Sequence, residues 1–211
     1  IEDSIKSDTL DSTGLRCFKS HRFVDRGAGE RDQGQYDAER DVFGISGAIM
    51  LLRASALASV RYKDEFFDEN YFAYKEDIDL AWRLRLAGWG SLYVPEAAAH
   101  HYRGAYSAVR AGWIETWRSR KDRSMIVKLN SFVNHYLTII KNAHLRNIAL
   151  RLPWIFVYEL KKNIFIFFCE PRVFWNGLRA IIAKLPDALR KRRFILSRAT
   201  ARPAEIRKWF K

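Results

Sequence analysis

The sequence predicts an α/β first part followed by a bundle of amphipathic α-helices. Three observations lead there. Up to Gly104, short apolar pieces alternate with glycine-containing turns. Inside that part, the acids Glu76, Asp77 and Asp79 open a helix directly behind the aromatic run Phe66-Phe67-Asp68-Glu69-Asn70-Tyr71-Phe72-Ala73-Tyr74. From Met125 onward, apolar residues recur at helical spacing. With 211 residues, 48% of them hydrophobic, the chain can bury a core.

Taken in order, Asp11-Ser12-Thr13-Gly14 reads as a turn and Leu15-Arg16-Cys17-Phe18 as a strand. Asp25 to Asp37 is glycine-rich and charged, and reads as a mobile surface loop. Val42 to Leu52 is a buried apolar segment interrupted by Gly44 and Gly47, where another backbone or a ligand can come close. Arg53 to Val60 makes one short helix. Ile78, Trp82 and Arg85, with Leu80, Leu84 and Ala87, repeat at helical spacing from Glu76 or Asp77 until Gly88 ends the helix. Ser91 to Pro95 and Ala97 to His101 read as two short strands, the second with His100 and His101 at its mouth. Met125, Ile126, Leu129, Phe132, Val133, Tyr136, Leu137 and Ile140 predict a long amphipathic helix. Pro153, Pro171 and Pro186 each stand where a new helix could begin.

Charge divides the chain. Residues 1–100 hold 13 Lys and Arg against 18 Asp and Glu, whereas residues 101–211 hold 24 against 6. The second half is therefore expected to meet a polyanion. Its basic residues, including Arg190-Lys191-Arg192-Arg193 and the tail around Trp209 and Phe210, alternate with large apolar faces. That pattern suits an anionic membrane surface and speaks against nucleic acid. Trp154 to Phe168 is too short and too charged to span a bilayer. Cys17 and Cys169 form no disulfide framework, which favours a reducing cytoplasm.

By spacing alone the acidic cluster is a helix cap or a general base toward a hydroxyl. Order decides between them. Gly44-Ile45-Ser46-Gly47-Ala48, then Phe67-Asp68-Glu69-Asn70-Tyr71-Phe72-Ala73-Tyr74-Lys75-Glu76-Asp77-Ile78-Asp79, then Gly88-Trp89, then Pro95-Glu96-Ala97 through His101 resembles glycosyltransferase family 2. The likeness covers residues 41–104 and is closest to the rhamnosyltransferase-like members that build bacterial surface polysaccharides.

The resemblance implies a partial GT-A, Rossmann-like fold whose acceptor-side half occupies residues 1–106, with a membrane-associating helical region over 107–211. It implies that Asp77 is the base that deprotonates an acceptor hydroxyl attacking a nucleotide-activated sugar, with inversion. Glu76 and Asp79 position that site. Gly47, Ala48, Arg83 and Trp89 belong to the substrate-binding surface. His101, with His100 as the fallback, is the ligand of a divalent ion, magnesium or manganese, on the diphosphate. A nucleotide sugar, a saccharide or lipid-linked acceptor and the inner face of the cell membrane are the implied partners. Asn130 beside Lys128, and Trp113 to Arg123, are weaker candidates for phosphate or sugar contacts.

Two features depart from the family pattern. Neither a nucleotide-binding βαβ unit nor an Asp-x-Asp metal motif precedes Asp77. The chain therefore reads as the C-terminal portion of such an enzyme, inactive alone. A second reading is a basic membrane-docking module whose catalytic motifs are remnants.

Overall fold

The computed structural model describes residues 8–101, 120 and 123–211. β1 (Leu15–Cys17) and β2 (Phe23–Asp25) form an antiparallel pair with Leu15 opposite Asp25 and Cys17 opposite Phe23. The helices are α1 (Ala54–Ser59), α2 (Glu76–Leu86), α3 (Met125–Asn142), α4 (Leu145–Cys169), α5 (Pro171–Ser197) and α6 (Pro203–Arg207). The mixed class agrees with the sequence, but the only sheet among the described residues is this two-stranded one. No parallel βαβ unit is seen there.

α2 is the axis of the first part. Its acids sit in the first turn and Arg83 and Arg85 in the last, so both ends complement the helix dipole. Trp82 and Leu86 are almost fully buried. The segment Val42–Gly44 crosses this helix so closely that a Cβ on Gly44 would collide with the Ala81 methyl. Gly88, at φ 86°, supplies the left-handed residue that ends the helix.

The cores run across the expected boundary at residue 106. Leu15, Phe23, Phe43, Ile78, Trp82 and Leu86 pack with Ala143, Ile195 of α5, Ile206 of α6 and Phe210. A second cluster joins Tyr71 to Phe132, Val133 and Leu137 of α3 and to Val173 and Ala188 of α5.

Several expectations are corrected. Of the three prolines only Pro171 begins a helix; Pro153 and Pro186 lie inside α4 and α5, each removing one backbone hydrogen bond from a helix of 25 or 27 residues. The predicted strands at 91–95 and 97–101 reduce to one bridge between Asp41 and Leu92. Val42, Phe43 and Gly44 are buried, but Ile49 and Leu51 are exposed. The Asp25–Asp37 loop is tied down at its base. Buried Arg26 donates to the Thr13 carbonyl and to the Glu39 carbonyl, and its guanidinium stacks on Tyr36 and Tyr93. The C-terminal tail is core rather than a membrane anchor. Phe210 packs on Trp82, Phe23 and Phe43, while the Lys211 N–H donates to the Cys17 carbonyl beside β1.

Candidate active site

Asp77 stands at the N-terminal end of α2, half-buried, and its two oxygens are held by backbone. Oδ2 accepts from the Gly47 N–H at 3.0 Å and Oδ1 from the Ile78 N–H at 2.8 Å. Burial nonetheless pushes its carboxyl above the ordinary value, against those two donors, with Asp25 adding to the rise and Lys75 opposing it. A carboxylate that is fixed in place and made more basic suits proton abstraction. Gly47 belongs to this geometry, since a Cβ there would lie 3.7 Å from Asp77 Oδ2 and cover one side of it. Gly47 and Ala48 are both exposed, leaving the carboxylate approachable from their side.

The turn that delivers Asp77 is strained. Tyr74 and Lys75 are consecutive non-glycine residues at φ 70°, a conformation that costs roughly 1–2 kcal/mol per residue. Asn134 of α3, which is fully buried, holds it: its Nδ2 donates to the carbonyls of Ala73 (2.9 Å) and Tyr74 (2.8 Å). The sequence pointed to Asn130, one turn earlier; it is half-buried on the same helix. The signal for Asn134 was a polar stripe, because Asn134, Thr138, Lys141 and Asn142 recur at helical spacing and form the face of α3 turned to α2.

Asp79 belongs to a different environment. It has no exposed surface, and it pairs with Arg83 at 3.0 Å and Lys141 at 2.9 Å while accepting from Asn142 at 2.7 Å. Although burial alone would lift its carboxyl, those cations hold it below its ordinary value. Arg83, expected at the substrate surface, is itself buried. Its Nε bonds Asp79, and its terminal nitrogens donate to the carbonyls of Val60 (2.9 Å) and Phe66 (2.6 Å). The guanidinium therefore ties two loops to α2, with each of its nitrogens bonded inside the fold. Lys141 also pairs with Asp68, which Lys191 of α5 reaches at 2.6 Å while bonding Glu65 at 2.6 Å. Lys141 and Lys191 thus lock the loop before the site onto α3 and α5.

The remaining candidates scatter. Glu76 is half-buried with Oε2 unpartnered, and burial and the Asp77 charge raise its carboxyl. Trp89 lies beyond the C-terminal end of α2, about 16 Å along the axis from its first residue. There it packs with α1 and donates from Nε1 to Ser59, so it is not part of the Asp77 site. Of the aromatic wall only Tyr71 is buried; Phe66, Phe67, Phe72 and Tyr74 are exposed. Trp113, Trp117, Arg118 and Lys121 lie outside the described residues.

His101 is exposed and its Nδ1 is 3.0 Å from Asp11 Oδ2. That pair offers two donors, whereas magnesium requires about six. Among the described residues no group of three or more His, Cys, Asp or Glu could hold an ion. These side chains alone do not fit a divalent metal.

A further cluster, not anticipated, joins α3 to α4. Glu159 accepts from His135 (2.7 Å) and Tyr136 (2.5 Å) and forms an ion pair with Lys162 (2.6 Å). These bonds and the Lys162 charge hold Glu159 down to about 2 in spite of its burial. Burial, helped by Lys162, lowers His135 to about 3, so it donates as a neutral imidazole.

An N-acetylglucosaminyl-diphospho-decaprenol L-rhamnosyltransferase of Mycobacterium tuberculosis is 47% identical over 66 residues, which is 31% of this chain and 20% of the relative. Rhamnosyltransferase WbbL of Escherichia coli is 47% identical over 57 residues, 27% of this chain and 20% of that protein. The aligned segment thus spans only a fifth of either relative. No solved structure matches the chain significantly. Residues 17–180, most of the chain and the whole stretch from β1 through α2 into α5, match the family described as glycosyl transferase family group 2, and the chain belongs to that family.

Proposed function

We propose that this chain forms the acceptor side of an inverting sugar-transfer site in cell-surface polysaccharide synthesis, with Asp77 as the base. The observation that carries the reading is the Asp77 carboxylate, fixed by two backbone N–H groups, raised in basicity by burial and approachable past Gly47 and Ala48. In the step itself, the acceptor hydroxyl gives its proton to Asp77 as its oxygen bonds the anomeric carbon. The bond from that carbon to the donor diphosphate breaks, and the nucleoside diphosphate leaves with the electron pair. Glu76 sits beside the base as a second raised carboxyl, and Asp79 positions the helix. A divalent ion rests on the family resemblance alone, and no step here runs through one.

A lipid-linked saccharide acceptor fits α4. Leu150, Trp154, Val157, Ile164 and Phe168 make an exposed apolar stripe along it, with Arg146 and Lys161 exposed beside it. Among the described residues no helix is long and apolar enough to cross a membrane. Peripheral attachment to the anionic inner face of the membrane is the corresponding location.

The test is Asp77→Asn in the full-length protein. Transfer from a nucleotide sugar should fall by about a hundred-fold or more, while circular dichroism and vesicle binding stay unchanged. Undiminished transfer sinks the assignment. Absence of transfer in the parent, with vesicle binding intact, favours instead a membrane-docking module, the reading that the exposed face of α4 supports by itself.

A further inference from the structure

We infer that Lys75 is an anion-binding residue of the Asp77 site, holding an oxygen of a substrate diphosphate. This rests on the sugar-transfer reading for the chemical class of the anion, and on the structure for the residue.

Lys75 occupies the second of two successive left-handed positions, where glycine or asparagine would be comfortable and a long β-methylene side chain is not. Strain of this kind persists only where the surroundings over-determine it, and it collects at functional sites. Here the over-determination is visible: fully buried Asn134 donates to both preceding carbonyls and fixes the Cα of Lys75 against α3. The side chain so placed makes no capping bond to α2, and among the described residues its ammonium has no ion pair or hydrogen bond.

The other buried lysines behave differently. Lys141 pairs with Asp68 and Asp79, and Lys191 pairs with Glu65, Asp68 and Asp187. Asp77 is two residues on from Lys75, but its oxygens accept from the Gly47 and Ile78 N–H groups and not from the Lys75 ammonium. A half-buried cation that makes no ion pair with the neighbouring carboxylate can accept an external anion. Burial lowers the ammonium below its ordinary value, with the Asp77 and Asp25 charges opposing that effect. A desolvated ammonium gains more from a phosphoryl oxygen than a hydrated one does. An oxygen bound at Nζ also keeps the diphosphate-bearing substrate near the base.

The experiment is calorimetric titration of the full-length protein with inorganic pyrophosphate, uridine diphosphate and farnesyl diphosphate, each against Lys75→Gly and Lys75→Arg. Glycine removes the charge and relieves the backbone, so Lys75→Gly should melt no lower than the parent. It should bind pyrophosphate about ten-fold or more weakly, the worth of one charge-assisted hydrogen bond, whereas Lys75→Arg should keep most of the affinity. Loss of pyrophosphate and farnesyl diphosphate binding with uridine diphosphate binding kept assigns the oxygen to a lipid acceptor, and loss of pyrophosphate and uridine diphosphate binding with farnesyl diphosphate binding kept assigns it to the donor; either supports the inference. Equal pyrophosphate affinity in parent and Lys75→Gly overturns it, as does a parent that binds none of the three. Asp77→Asn is titrated alongside. It should retain pyrophosphate binding, so a failure of Asp77 as base is distinguished from a failure of Lys75 as anion holder.

Discussion

Asp77 and Asp79 are two residues apart, which on a helix turns them about 200° from one another. That rotation sends Asp77 toward Gly47 and Asp79 into the seam with α3, where Arg83, Lys141 and Asn142 meet it. In the one-dimensional string Glu76-Asp77-Ile78-Asp79 they read as one catalytic cluster, and the separation could not be seen because Gly47, which holds Asp77, lies 30 positions upstream while Lys141 and Asn142, which hold Asp79, lie more than 60 positions downstream. Arg83 is similar: the resemblance implies a substrate contact, yet here each of its nitrogens is bonded inside the fold. The two aspartates should therefore respond oppositely to amidation. Asp77→Asn removes a charge that burial already disfavours, so thermal stability should move by less than about 1 kcal/mol even though transfer is lost. Asp79→Asn leaves Arg83 and Lys141 buried without their shared anion and should cost about 3–5 kcal/mol. Urea unfolding of both variants checks this, and similar losses for the two would refute the division of roles.

At the scale of elements, periodicity located α2 and α3 well, because the apolar face of each is continuous and each end carries a stop or a cap: Gly88 after α2, and Ser124, whose side chain accepts from the Val127 N–H, before α3. Proline was the poorer guide. Pro153 and Pro186 are carried inside helices whose other backbone bonds and tertiary contacts outweigh one missing donor. Basic runs were also overread. In Arg190-Lys191-Arg192-Arg193, Lys191 is buried in ion pairs and Arg192 donates to the Ile140 carbonyl at 2.6 Å, which leaves Arg190 and Arg193 for solvent. Net charge thus overstates what the second half can offer an anionic surface, and under the proposed membrane attachment α4 supplies the rest through apolar area. Trp154 and Phe168 are 52% and 74% exposed on its uncovered face. Changing both to glutamate removes two anchors and adds two like charges, so sedimentation with anionic vesicles should weaken about ten-fold or more, with no loss of melting temperature. Binding that survives this double change would place the membrane contact elsewhere.

Across the whole molecule, the first and second parts fold as one body because their side chains share cores and ion pairs. The resemblance implied a division at residue 106, and the sign of the charge changes between residues 1–100 and 101–211. The same complementarity draws the parts together, with Asp68 and Asp79 before the boundary and Lys141 and Lys191 after it. The pH dependence should report that union. His21 in the β1–β2 hairpin is buried and lowered to about 4, mainly by burial, and His135 on α3 is lowered to about 3. Each is held neutral when folded and takes a proton near pH 6.5 when unfolded, so stability is complete above that value and falls as pH drops below it. The slope should be about 1.4 kcal/mol per pH unit for each histidine. Asp68, Asp79 and Glu159 have depressed carboxyls, so their contributions hold above the ordinary carboxylate range and are lost on falling through it, which steepens the decline near pH 4. Glu76 and Asp77, raised instead, act in the reverse sense and soften it slightly. Urea melts from pH 7.5 to 4.5 should show one cooperative transition whose free energy falls from about pH 6.5. His135→Gln, which keeps a donor for Glu159, should remove roughly half of the slope between pH 6.5 and 5. A flat profile over that interval would show that the histidines are not held neutral. Two separate transitions would show that the shared core does not bind the two parts into one folding unit.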